Sequence, residues 1–503
     1  MPTQANQQQS HQRKRFAPEG HSLGRIDQDL QSVSVAGAGI ALILIALTPP
    51  AIYAVDGNSM LVLAESIVRH GTIAVPATLG KVGRGGLHYS IWYPLLSIMA
   101  LPLVATGDMM ARLFHLPPHY TAGIWALMLN ALLTAATATV TGLLALRLGA
   151  SRERALTSAL AFAFGTVAMV YSRSFFADPL LALITVSGIY LAVDNGRHSA
   201  SIILISAMAV LAKPTGVVLG PLLSLHGMKK GGGLFRSVPG IIGTATGLAL
   251  YMSYNYARFL NVLDFGQPTL FSLRNVPIGL AGLLVSPGRG VFWYCPPVLA
   301  LVGVKWRALK RCDLDLVIAV AAAYLLLYSL WQAWSGGWSW GPRLLLPALP
   351  GLIALGAFPR KGWNKALAIL ALVGFVTNSP NLVSYYERYY QEATVIGQVS
   401  EEMILWNPVY SPIVAIWASA FREVKDAQTA DISRLVERAG SRGNERDPQS
   451  WRVLRTVALW WWILPALRVS RYVGFGAMTA LIVAGVILIV KSFPSGHEPT
   501  ESD

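Results

Sequence analysis

Runs of about twenty apolar residues recur along this chain, and they constrain its fold more than any other feature. A run of that length crosses a bilayer core as a helix, and lipid leaves the backbone few other choices. Charged side chains make up only 13% of the residues, against about 25% in a soluble globular chain. The fold class read from this pattern is an all-α polytopic membrane protein.

The formal charge of +15 would suit a nucleic-acid partner, but the basic residues sit in short clusters between the apolar runs. That is the distribution of topology signals, and no nucleic acid is expected. With Arg13, Lys14 and Arg15 inside, twelve transmembrane helices follow: 33–54, 121–146, 156–172, 179–193, 200–212, 214–227, 237–256, 291–304, 314–334, 344–358, 364–382 and 472–490. Lys213-Pro214 divides the fifth from the sixth. Nearly every basic cluster then falls on the cytoplasmic side, together with both termini. The expected divisions are a tail (1–32), a membrane region (33–382), an outer polar segment (383–450), an interfacial segment with the last span (451–491) and a second tail (492–503). Cys295 and Cys312 flank a single apolar segment, so neither a disulfide nor a metal site is expected of them.

The long connections, 55–120, 257–290 and 383–450, all lie on the outer side, where chemistry is therefore expected. Asp56 opens the first of them, directly after the first span. In the segment that follows, Met60, Leu63, Ala64 and Ile67 recur at helical spacing, which predicts an amphipathic interfacial helix ended by Gly71. An Asp at such a start could simply cap it, a contribution of about 1 kcal/mol. Asn58 and Ser59 could cap as well, which frees the carboxylate for chemistry.

Other charged residues stand at equally costly places. Asp178 precedes Pro179 in an outer turn, either as a helix cap or as a second acid beside Asp56; Arg173, on the same turn, could pair with it or meet phosphate. Arg289 lies between two glycines in Ser286-Pro287-Gly288-Arg289-Gly290, where backbone N–H groups could approach an anion or form a plain turn. Arg343 follows Trp340-Gly341-Pro342 and could merely snorkel, whereas Lys213 sits in mid-apolar sequence. His88 and Tyr89 are candidate substrate contacts or ordinary hydrogen-bonded side chains. Asp27-Gln28-Asp29 and Asp313-Leu314-Asp315 imitate a nucleotide-sugar motif, but both fall on the cytoplasmic side with no soluble domain beside them. Residues 420–440 read as a solvated helix.

A first span ending in an acid, an interfacial helix in the first outer loop and a Tyr-Pro return together resemble the GT-C superfamily of membrane glycosyltransferases. YSRSFFADPLL (171–181), LAKPTG (211–216), SPGRGVFWYCPP (286–297) and WSWGPRLLLPALP (338–350) are similar to segments of its protein O-mannosyltransferase and aminoarabinose transferase branch. The likeness runs in order over about 35–350. It implies a transferase of a bacterial inner membrane, with its site facing the periplasm and a polyprenyl-phosphate sugar as donor. The acceptor would be a hydroxyl on a glycan, lipid or protein. Asp56 matches the family's first-loop catalytic acid and would be the base of an inverting transfer, with Asp178 as second acid. Arg289, Arg343 and Lys213 would bind the donor phosphate, and His88, Tyr89 and Arg173 would contact substrate. No cofactor is required, although two neighbouring carboxylates permit a divalent cation. A twelve-helix transporter or flippase, with Lys213-Pro214 in a broken helix, is the rival reading, and a scaffold without catalysis a third.

Overall fold

The computed structural model describes residues 23–194, 198–231, 233–266, 270–426, 457–467 and 469–494. Helices dominate: α1 (Leu23–Ala46), α2 (Val55–His70), α3 (Pro94–Phe114), α4 (Pro118–Arg147), α5 (Arg152–Gly165), α6 (Asp178–Val193), α7 (Ser199–Ala212), α8 (Leu219–Lys229), α9 (Pro239–Phe259), α10 (Arg311–Leu330), α11 (Ala366–Asn378), α12 (Pro412–Asp426) and α13 (Arg471–Ser492) are the principal ones. Among the described residues, five helices are long and apolar enough to cross a membrane, or six if the bent pair Ala366–Leu382 and Tyr386–Ile396 counts as one. The molecule is a multi-pass, all-α membrane protein.

Proline sets several boundaries. Pro94, Pro118 and Pro239 each open a helix at the position where the missing N–H costs nothing. Pro49-Pro50 ends α1 at Ala46, eight residues short of the span expected to reach 54. The expected outer loop 55–120 contains α3, a span-length helix whose Asp108 is neutralised by a bidentate Arg69 at 2.6 and 2.8 Å. The helix after Asp56 ends at Gly71 as expected, with φ 64°. Its apolar Met60, Leu61, Leu63 and Ala64 are buried against the bundle.

Close helix crossings rest on small residues, as membrane interiors require. Gly142 of α4 meets Val33 of α1 and Ala159 of α5, and Gly39 of α1 meets Gly485 of α13. The bundle has two chemically distinct ends. At one, Arg152 faces Asp29, Arg147 pairs with Asp194, and Lys229 and Lys230 face Asp315 and Asp313. The basic connections between the helices gather there. At the other end lie Asp56, Asp178, Lys213 and Arg343.

Candidate active site

Local backbone rules deliver these four side chains to one place. α7 stops at Ala212 because Lys213 precedes Pro214, and a residue before proline is driven out of the helical region; its φ and ψ are −164° and 132°. Thrown off the helix, the Lys213 side chain turns into the bundle, and Nζ donates to Asp178 Oδ1 at 2.7 Å. It also lies 5.3 Å from the centre of the Tyr328 ring. Asp178 begins α6 and is buried, but it spends its carboxylate on Lys213 and not on a helix cap. Its turn is pinned from below by Asn130, whose Nδ2 donates to the Ser174 carbonyl and, at 2.9 Å, to that of Phe176.

Arg343 begins a short 3₁₀ turn after Gly341, whose φ of 55° few other residues would tolerate. Its guanidinium lies between the two acids, Nη1 at 3.5 Å from Asp56 Oδ2 and Nε at 3.8 Å from Asp178 Oδ2. Nη2 donates to the Gly336 carbonyl at 3.1 Å, and the Phe176 ring supports the plane at 4.4 Å. Nε is buried and faces Asp178 at a distance too long for a hydrogen bond. Asp56 is the second residue of α2. Ala54 occupies the cap position, so the capping role weighed from sequence is not the one that the carboxylate plays.

The four line a cavity of about 710 Å³, walled also by Tyr93, Gln332, Gly337 and Trp338. Asp56 is 26% exposed there, open enough to meet a substrate. Burial pushes its carboxyl above the usual carboxylate range, while Arg343 pulls it back.

Other expected site residues lie elsewhere. Arg289 is fully buried behind the cavity wall: Nε donates to the Ser335 carbonyl at 2.6 Å, Nη2 to that of Gly337, and Nη1 to the Gly288 carbonyl and the Tyr390 hydroxyl. It holds the 335–337 loop, which presents the Gly336 carbonyl to Arg343. Arg173 meets neither Asp178 nor the cavity; it donates to the carbonyls of Leu47, Asn381, Leu382 and Ala458. His88 and Tyr89 form a two-residue strand paired with Lys81–Val82, where Tyr89 donates to the Arg84 carbonyl, away from the cavity lining. Conversely, Glu387 and Glu401 come from the segment read as merely polar and line the cavity, with Ser335 donating to Glu401 at 2.7 Å. For Glu387 the sequence signal is an acid inside the aromatic run Tyr385-Tyr386-Glu387-Arg388-Tyr389-Tyr390; Glu401 has none. Residues 427–450 of that segment, and both tails as far as 1–22 and 495–503, lie outside the described residues.

A divalent cation suits this site poorly. The space between Asp56 and Asp178 is already taken by a guanidinium, and among the described residues no three His, Cys, Asp or Glu side chains gather as ligands. Cys295 and Cys312 are free thiols.

A family model described as dolichyl-phosphate-mannose-protein mannosyltransferase matches residues 115–235. That description names the transferase branch which the motifs resemble, and bears out the resemblance over a stretch containing Asp178 and Lys213. No curated protein matches. Among solved structures, the chain is similar to ArnT from Cupriavidus metallidurans bound to undecaprenyl phosphate, at 15% identity and a TM-score of 0.46, over 90% of this chain and 77% of that one. The apo state of the same protein gives 17% identity and a TM-score of 0.44, over 92% and 76%.

Proposed function

We propose that this protein is a glycosyltransferase that moves a sugar from a polyprenyl-phosphate donor to an acceptor hydroxyl, with inversion, in the cavity at the end of the bundle remote from its basic connections. In a bacterial inner membrane that end would face the periplasm. The observation that carries the reading is the convergence of Asp56, Asp178, Lys213 and Arg343 on one cavity, each from a different element. The family match supports the transferase class.

The chemistry divides between acids and cations. The acceptor oxygen attacks the anomeric carbon while its proton passes to the Asp56 carboxylate. The bond from that carbon to the phosphate oxygen breaks, and the lipid phosphate leaves with the electron pair. Its negative charge is met by Arg343 and Lys213, cations already fixed before the reaction begins. Asp178 positions both of them. An elevated Asp56 pKa suits the role, since a base matched to its working pH transfers protons best.

The test is affinity of the purified protein for a polyprenyl phosphate lacking sugar. Arg343→Ala and Lys213→Met should each weaken it about tenfold or more. Unchanged affinity in both variants, or tight binding of a nucleotide sugar instead, would reject the reading.

A further inference from the structure

The helix α12 is built the wrong way round for a helix in water. Its inward face carries Glu423, fully buried and paired with Arg388 at 2.6 Å, beside buried Ile416, Ser419 and Ala420. Its outward face carries Val414, Trp417, Phe421 and Val424, spaced as one stripe of a 3.6-residue period and all exposed, Phe421 by 73%. Arg422 and Lys425 border the stripe on one side. Val409 and Tyr410, just before the helix, are exposed as well. A soluble surface seldom shows so continuous an apolar strip, and less often with an ion pair hidden beneath it.

The surroundings identify what covers the strip. The chain leaves the apolar helix α11, whose Leu372, Val373 and Val376 are exposed toward lipid, and bends by 71° into Tyr386–Ile396. A segment turned that far from a span runs close to the membrane plane. Arg388, on that bent segment, is the residue that anchors α12 through Glu423. The strip therefore continues the lipid-facing surface around a corner. Its chemistry is that of an interfacial helix: aliphatic and aromatic residues to enter the acyl region, with Trp417 and Tyr410 suited to the headgroup boundary. Lys425 is placed to meet anionic headgroups, while Arg422 pairs with Glu392 at 2.7 Å.

We infer that α12 is a membrane-docking helix, its Val414, Trp417, Phe421 and Val424 stripe embedded in the leaflet on the cavity's side of the bilayer. The segment 386–426 is thus a lipid-seated rim of the cavity and not a solvated domain.

The experiment uses the full chain in phosphatidylcholine–phosphatidylglycerol vesicles. A single cysteine is placed at Phe421→Cys, in a Cys312→Ser background that leaves the fully buried Cys295 in place, and carries an environment-sensitive fluorophore. Lipids brominated in the upper acyl chain should quench this label roughly twofold or more above the same label at Arg422→Cys, and aqueous iodide should show the opposite order. Should Phe421→Cys fail to fold, Val414→Cys reads the same stripe. Equal iodide access at both positions overturns the inference. So does lipid shielding that disappears when the protein is diluted into more vesicles, since a second copy would then be the cover.

Discussion

The two ends of the bundle contain nearly the same ion pair and put it to different use. Asp178 and Lys213 meet at 2.7 Å at one end; Asp313 and Lys230 meet at 3.0 Å at the other. Both acids are buried. Beside the first pair stand a second carboxylate, a guanidinium and a cavity of about 710 Å³; the void beside Lys230 is about 40 Å³. A buried ion pair alone is weak evidence of anything, because its attraction only offsets the desolvation of its members. Room for a substrate, and an acid that has not been fully neutralised, separate a site from a fastening.

The comparison breaks most visibly at the acids. Asp56→Asn should lower transfer by about 10²–10⁴-fold while the protein still folds and binds lipid phosphate. Asp313→Asn should leave turnover within about twofold and lower the melting temperature instead, as loss of a buried partner does. Equal losses of turnover in both variants would erase the distinction between the ends. At the cations, Arg343→Lys should cost roughly tenfold or more in kcat, since an ammonium cannot span two carboxylates and a phosphate as a planar fork does.

A smaller effect is expected behind the wall. Arg289→Ala should reduce kcat by about threefold to tenfold with the donor KM little changed, because it loosens the loop whose Gly336 carbonyl orients Arg343. A rise in KM alone would restore Arg289 to the phosphate itself. The finest test is pH. A base works deprotonated, and burial raises the Asp56 pKa, so activity should fail on the acid side at a pH above the ordinary carboxylate value of about 3.9. Arg343 pulls that pKa down, so in Arg343→Met the residual activity should lose its acid limb at a higher pH. An acid limb that stays in place would separate Asp56 from the proton.

What could be read from the sequence was the expense of each charge. Asp56, Asp178, Lys213 and Arg343 stand where membrane sequence tolerates few ions, and the structure brings all four together. Arg173 and Arg289 look equally expensive, yet apart from the Tyr390 hydroxyl beside Arg289 their partners are backbone carbonyls, which every residue possesses and no sequence displays. The helix α3 carries Asp108 and Arg112 in its second half, and the Arg69 that neutralises Asp108 lies 39 residues away, a partnership no sequence displays. Residues 420–440 read as a solvated helix from sequence, yet Glu423 points inward to a partner 35 residues away, Arg388, that the sequence does not display.

Arg173 has a consequence for how the molecule is made. Its guanidinium gathers carbonyls from Leu47, Asn381, Leu382 and Ala458, positions separated by up to 285 residues from its own. During synthesis the turn bearing Asp178 emerges long before residues 381–382 and 458 exist. Until then a cation in the apolar bundle has at most one of its four acceptors. That clamp therefore closes only when the chain has reached Ala458. A ribosome stalled short of residue 458 would hold Asp56, Asp178, Lys213 and Arg343 of the cavity, but neither the last carbonyl of that clamp nor α13.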